Sequence, residues 1–179
     1  MLAASARPDD AAEYRIRAAR GTADLARVRR LLRAYHRSLG VDLSFQGFEG
    51  ELAGLPGEYA APHGGLWIAW AGRRTVGCVA VRRLDARRAE MKRLYVRPAA
   101  RGRGLGARLA RRAVVAARGR GYAWLYLDTL PTMRPARALY ARMGFARTRA
   151  YRYNPVPGSV YLRLDLALRR PPRAPGGAR

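Results

Sequence analysis

Hydrophobic positions recur along this chain with two different periods, and the switches between them predict an order of elements. Tyr14–Ala18 reads as a first strand. Leu25, Val28, Leu32 and Tyr35 then fall on one helical face, with Thr22 placed to cap that helix and Asp24 favourable in its first turn. Gly40 ends the region. Phe48, Leu52 and Leu55 repeat helically until Pro56-Gly57 stops them. Leu66–Ala71 and Thr75–Val81 are apolar strand-like runs joined around Gly72-Arg73-Arg74, the pattern of a hairpin. Glu90–Arg97 reads as another strand, ended by Pro98. From about Gly104 to Arg118, Leu105, Leu109, Ala113 and Ala116 mark one side of a helix, with Arg118 near its C-terminus where the dipole favours a cation. Tyr122–Leu127 is nearly all apolar, which suits a strand buried on both faces. Pro135 fits the first turn of a helix that runs to Met143 and stops at Gly144. Val160, Leu162, Leu164, Leu166 and Leu168 alternate with Tyr161, Arg163, Asp165 and Ala167, a strand with two unlike faces. Residues 1–12 read as a loose polar tail and 170–179, rich in Pro, Gly and Arg, as a disordered one. That leaves a single folded domain over 13–169, a size that supports a real core.

Between the predicted strand at 90–97 and the helix after it stand Gly102, Gly104 and Gly106, with Arg101 and Arg103 among them. The first N–H groups of a helix have no intrahelical partner and carry partial positive charge. Glycine lets a ligand approach that backbone closely, and the arginines add full charges. The segment is therefore suited to a pyrophosphate. One pattern that fits is the dinucleotide fingerprint, Gly102-x-Gly104-x-x-Ala107, with Asp128 roughly where a ribose-binding acid belongs. It fails on context. Pro98-Ala99-Ala100-Arg101 separate the strand from the first glycine, about a hundred residues precede the motif, and fewer than eighty follow it. A doubly wound sheet does not fit that space.

The other pattern, Arg101-x-x-Gly104-x-Gly106, resembles the (Q/R)xxGx(G/A) acyl-CoA motif of the GCN5-related N-acetyltransferase (GNAT) family. Its surroundings strengthen the likeness. EMKRLYVRP (Glu90–Pro98) resembles the family's fourth strand, GYAWLYLDT (Gly121–Thr129) its fifth, and ARALYARMGF (Ala136–Phe145) the following helix with its Gly-Phe exit. SFQGFEGELAGLPGEY (Ser44–Tyr59) and YNPVPGSVYLRLDL (Tyr153–Leu166) resemble segments of one bacterial branch, so the likeness spans about residues 14–168. It implies an α/β (α+β) fold: a mixed, mostly antiparallel sheet of six to seven strands, about four flanking helices, and splayed fourth and fifth strands.

It further implies acetyl-CoA as co-substrate, without a metal. Backbone N–H groups across Arg101, Gly102, Arg103, Gly104, Leu105, Gly106 and Ala107 would hold its pyrophosphate. The main chain of Leu94 and Val96 would hydrogen-bond the pantetheine arm, and the thioester would lie between Tyr95–Val96 and the helix carrying Tyr140. The implied reaction is direct acetyl transfer to a primary amine of a small molecule, peptide or protein. Such an amine must lose a proton before it attacks, since an alkyl amine has a pKa of about 10.4. Backbone donors near Val96 would stabilise the oxyanion. Tyr140 matches the tyrosine that many members use as general acid to sulfur; the plain alternative is a core aromatic. Glu90 lies eleven residues before Arg101, the spacing of the glutamate base in the histone-acetylating branch. Its alternative is an ion pair with Lys92 or a nearby arginine. Asp128 reads either as a cap for the next helix or as a substrate contact.

Charge adds a partner question. The net charge is +24, and Lys92 is the only lysine, so almost all of it is arginine. That skew could equally reflect a G+C-rich genome. It still favours anionic partners through long-range attraction. A basic nucleic-acid-binding protein, or an acyl-CoA-binding protein without catalysis, is the alternative reading, although no nucleic-acid motif is present. Between Arg37 and Arg73 the sign reverses: Asp42, Glu49, Glu51 and Glu58 stand with no lysine or arginine. In the family this region walls the acceptor site, so these acids would draw in a cationic amine; ordinary solvated acids are the alternative. Cys78 is the single cysteine, in an apolar run where an inert thiol is expected. His36 and His63 stand far apart, and no metal-ligand spacing occurs, although His63 could meet a substrate. Trp67 and Trp70 read as packing residues, with a cation-binding cage as the alternative. With no secretory signal or membrane-length apolar run, the expectation is a cytoplasmic protein, monomer or homodimer.

Overall fold

The computed structural model describes residues 14–40 and 47–167. Both tails and Asp42 lie outside them. The chain runs β1 (Tyr14–Ala18), α1 (Gly21–Leu39), α2 (Phe48–Ala53), a 3-10 turn (Gly57–Tyr59), β2 (Gly65–Ala71), β3 (Arg74–Arg83) and β4 (Arg88–Val96). A second 3-10 turn (Pro98–Ala100) leads into α3 (Leu105–Gly119), then β5 (Trp124–Thr129), α4 (Arg134–Arg142), β6 (Ala146–Arg147) and β7 (Val160–Asp165).

The seven strands form one sheet in the order β1-β2-β3-β4-β5-β7-β6. Every neighbouring pair is antiparallel except β4 and β5, which run parallel. This is the mixed, mostly antiparallel sheet with four helices that the sequence resemblance implied. Alternation along β3 shows how both faces are covered. Val79 and Val81 pack into a core with α3, where Leu105, Leu109 and Ala113 are buried. Cys78 and Ala80 point the other way, into a second core built by Val28, Leu31 and Leu32 of α1 and Phe48 and Leu52 of α2. Leu109 is fully buried, so cutting it to Ala removes about 2–5 kcal/mol.

Some boundaries differ from the periodicity, each for a local reason. The residue capping α1 is Arg20, not Thr22, and it makes no side-chain cap. Asp24 serves that end instead: its carboxylate accepts from the Arg20 N–H at 2.9 Å and pairs with the Arg17 guanidinium. The strand expected from Tyr122 begins at Trp124, because Gly121 turns at φ 80° and the Tyr122 ring is spent against the α3 core. β7 ends at Asp165, and Leu168 falls outside the described residues. β6 has two residues, both exposed, too short for any period to register.

The parallel pair matters most. β4 and β5 are in register only at Arg88–Trp124, Ala89–Leu125 and Glu90–Tyr126. Beyond Glu90 the strands part, while β5 continues to Thr129 against β7. The cause lies within β4. Arg93 has φ 57°, a left-handed conformation uncommon for a side-chain-bearing residue, and the β3–β4 register slips opposite it, between Cys78 and Ala80. One extra residue bulges β4 and increases its twist, which turns the strand away from β5.

Candidate functional site

The gap between β4 and β5 opens into a small cavity of about 60 Å³ whose walls include Leu94, Asp128, Thr129, Met133 and Tyr140. Main-chain direction decides what β4 offers there. The Arg97 N–H donates across to Val76 O at 2.8 Å. Alternation therefore turns the N–H and C=O of Leu94 and Val96 away from β3, toward the gap. Val96 O is already taken: Arg101 Nε donates to it at 3.0 Å. The structure does not bring Tyr95 to the gap. Its main chain faces β3 opposite Cys78, and its ring packs in the α1-side core, 5.7 Å from the ring of Tyr35.

Downstream, the 3-10 turn ends with the Arg101 N–H bonded to Pro98 O, so this donor is spent within the turn. Gly102 (φ 77°) and Gly104 (φ 73°) then take left-handed conformations, and a Cβ on either would meet nothing within 4 Å. Those glycines answer to backbone conformation and leave open space above the turn. No side chain caps α3, whose first N–H groups, from Leu105 onward, point into that space. Leu105 is fully buried and contributes its N–H only, whereas Arg103 is exposed. Gly106 leaves ordinary van der Waals room for an alanine, 3.9 Å from Leu139. An uncapped helix end behind two open glycines suits a diphosphate.

Tyr140 comes from α4 and is 6% exposed, its ring 5.6 Å from Phe145. The hydroxyl has no hydrogen-bond partner among the described residues, and burial pushes its pKa well above the ordinary tyrosine value. It stays protonated at any working pH and can donate.

Glu90 sits at the last paired position of β4 and is fully buried. Arg82 Nε donates to its Oε2 at 2.6 Å, and Tyr151 OH donates to Oε1 at 2.8 Å. Arg152 Nε stands 3.3 Å from the same Oε1. Both carboxylate oxygens are therefore engaged, by arginines and a phenol and not by Lys92. The network extends outward. Arg82 also binds Glu58, and Arg152 Nη2 donates to both oxygens of Asp128 at 2.9 Å. Asp128 further accepts from Asn154 Nδ2 at 2.7 Å. It caps no helix, since α4 starts without a side-chain cap; instead it ties the 151–156 segment to the sheet.

The acidic segment divides similarly. Glu51 binds the Arg93 guanidinium through both oxygens and accepts from Tyr59 OH at 2.7 Å. Burial raises its pKa, but Arg93 and Tyr59 outweigh that and hold it below the ordinary value. Glu58 is 65% exposed at its side chain. Both border a wider hollow of about 440 Å³ on the α2 side of the sheet, together with Arg82, Lys92, Arg152 and Tyr153.

Other candidates fall elsewhere. The His63 carbonyl accepts from Tyr122 OH before the start of β5, the end of that strand away from the gap. Trp67 lies under Arg112 and Arg120, and Trp70 under Arg17 and Arg27, so each ring is already covered by this chain's own cations. Cys78 is fully buried and its thiol is pushed up to about 12 by burial, consistent with an inert side chain. No helix among the described residues is long and apolar enough to cross a membrane. The nearby arginine that the sequence offered as a partner for Glu90 is Arg82, directly opposite it on β3, whereas Tyr151 and Arg152, which reach Glu90 from the segment after β6, were missed.

Comparison with known proteins agrees with this geometry. The sequence pattern of the Acetyltransferase (GNAT) family matches residues 25–145. An uncharacterized N-acetyltransferase of Schizosaccharomyces pombe is 40% identical over 146 residues, covering 80% of this chain and 90% of its own. Among solved structures, an acetyltransferase from Streptococcus agalactiae superposes with a TM-score of 0.72 at 21% identity, over 85% of this chain and 98% of that one. The yncA protein of Salmonella typhimurium, solved with its cofactor acetyl-CoA, gives 0.65 at 20% identity, over 90% of this chain and 98% of that one. The parallel pair that parts after Glu90, the glycine turn behind it and these matches together establish that the chain belongs to the GNAT family of N-acetyltransferases.

Proposed function

We propose that this protein binds acetyl-CoA in the gap between β4 and β5 and transfers its acetyl group to a primary amine entering from the α2 side. The observation that carries this reading is the divergence of the two strands after Glu90, which leaves main-chain groups of Leu94 and Val96 without a strand partner and leads to an uncapped helix. Acetyl-CoA supplies an acetyl thioester activated for attack by nitrogen. The N–H groups opening α3, from Gly104 to Ala107, bind the diphosphate, aided by Arg103 and the outer nitrogens of Arg101. Leu94 offers its C=O to the pantetheine amides. Val96 offers its N–H, because Arg101 occupies its carbonyl.

At the reacting end, the Leu94 N–H, in the wall of the cavity that Tyr140 also lines, faces the oxygen that gains negative charge during attack. Tyr140 OH protonates the departing sulfur, a role its free hydroxyl and raised pKa suit. Glu90 holds Arg82, Tyr151 and Arg152 in place. Both of its oxygens already accept hydrogen bonds or an ion pair, which favours a positioning role over that of a base.

The acceptor enters through the hollow lined by Glu51, Glu58 and Tyr153. Glu58, exposed at the rim, attracts a cationic amine, while Glu51 is spent on Arg93. The test is free-thiol release from acetyl-CoA across polyamines, amino acids, aminoglycosides and peptides, with Tyr140→Phe beside the wild type. Amine-dependent release that Tyr140→Phe largely removes supports the assignment. Acetyl-CoA binding without release for any amine would favour a non-catalytic acyl-CoA-binding protein.

A further inference from the structure

Lys92 is the only lysine in a chain that otherwise uses arginine for its cations. It lies in β4, two residues after Glu90 and two before Leu94, and is 8% exposed. It borders both the cavity that Tyr140 lines and the wider hollow beside α2, and so stands between the two spaces. Arg82, Arg93 and Arg152 around it are all paired with carboxylates. Lys92 makes no hydrogen bond or ion pair with any described residue. An arginine here would stay charged, whereas a buried lysine can give up its proton.

We propose that the neutral amine of Lys92 is the general base that takes a proton from the attacking nitrogen of the acceptor. This inference rests on the acetyltransferase reading above. The acceptor's N–C bond forms as the thioester C–S bond breaks. An ammonium acceptor loses two protons overall. One passes through Lys92 to solvent, and the other balances the proton that Tyr140 gives to sulfur. The products are the N-acetyl amine, free thiol and one released proton.

The surroundings suit that role. Burial lowers the Lys92 pKa to about 8, opposed by Glu90 and aided by Arg93, Arg152 and Arg82. Glu51, Glu58 and Tyr59 face the same hollow from the α2 side, Asp128 borders the cavity from β5, and Tyr151 reaches Glu90 from the segment after β6. Three guanidiniums thus stand among four carboxylates, and a neutral Lys92 leaves one net negative charge to meet a cationic acceptor.

The sole lysine gives a direct test. Protein labelled with ε-13C lysine shows one lysine side-chain resonance, which reports the titration of Lys92 without any acceptor. The pH profile of kcat is then measured with the amine that releases thiol fastest in the panel, for wild type, Lys92→Arg and Lys92→Met. Acetyl-CoA affinity, read by calorimetry, reports intact folding. The expected result is an ascending limb of kcat that coincides with the resonance titration. Both variants lose that limb and about 100-fold or more of kcat, with acetyl-CoA affinity retained. The proposal is overturned if Lys92→Arg keeps the limb at the same pH, or if it retains most of its kcat. It is also overturned if the resonance titrates near the ordinary lysine value. Absence of thiol release from wild type with every amine sinks the transferase reading itself, a result separate from an active Lys92→Arg.

Discussion

Glu51 on α2 clamps the guanidinium of Arg93, the residue whose left-handed conformation bulges β4. Arg93 Nε donates to Glu51 Oε1 at 2.8 Å, and the Arg93 side chain is 3% exposed. This pair joins α2 to the strand distortion that opens the gap. Its loss leaves an uncompensated buried charge, so Glu51→Gln is expected to cost about 3–5 kcal/mol in denaturant unfolding. Because Glu51 has a depressed pKa when folded, its contribution is present above the unfolded glutamate value and is lost as pH falls through the lower folded value. The difference between wild type and Glu51→Gln should therefore shrink in strongly acid buffer. A constant difference down to that range would contradict the assignment.

Tyr140→Phe removes the proposed donor to sulfur and leaves the ring in place. We expect kcat to fall by about 100-fold or more, with acetyl-CoA affinity unchanged. The raised pKa of Tyr140 adds that wild-type kcat shows no alkaline loss from this residue up to the ordinary tyrosine range. A kcat close to wild type would leave Tyr140 as a packing aromatic.

Glu58→Lys reverses an exposed charge at the rim of the proposed acceptor hollow and breaks one of two pairs held by Arg82. For a cationic amine, KM should rise several-fold, roughly 3–10, and the effect should weaken with added salt. Equal weakening of acetyl-CoA binding would argue against a division into cationic-acceptor and diphosphate sides.

Burying a charged Lys92 carries a stability cost. Its pKa is depressed in the folded state, so between about pH 8 and the ordinary lysine value the unfolded chain holds the extra proton and stability rises with pH. Lys92→Met removes that dependence. Relative to wild type it should be more stable at pH 7, by about 1–3 kcal/mol, and the gain should fade toward pH 10. Thermal melts across pH read this, and a variant less stable at every pH would contradict it.

Most strands and helices were legible because their apolar periods are long. α3 carries Leu105, Leu109 and Ala113 over fifteen residues, and β3 has its four most deeply buried residues, Cys78 to Val81, in one run. The glycine turn was legible from Gly102 and Gly104, whose left-handed conformations L-residues resist. The bulge was not, because nothing in the sequence marks Arg93, and the carboxylate that holds its guanidinium, Glu51, lies 42 positions away in the chain. The clamp on Glu90 was legible only as an ion pair with some nearby arginine, since Arg82 stands opposite it on β3 but Tyr151 and Arg152 arrive from the segment after β6. Spacing identified Glu90 as a special carboxylate but could not show that its oxygens were occupied. The uniqueness of Lys92 was visible in composition, and only its lack of a partner among the described residues gave that meaning.

Calorimetric titration with acetyl-CoA tests the central claim, a diphosphate seated on the opening turn of α3, more directly than any other measurement. The wild type should give a saturable one-to-one heat. Gly104→Asp, which places a negative charge where the diphosphate belongs at a position with open space around it, should weaken binding by at least about 10-fold, and Gly104→Asn by clearly less. No saturable heat from the wild type, or equal affinity in wild type and Gly104→Asp, would contradict the account.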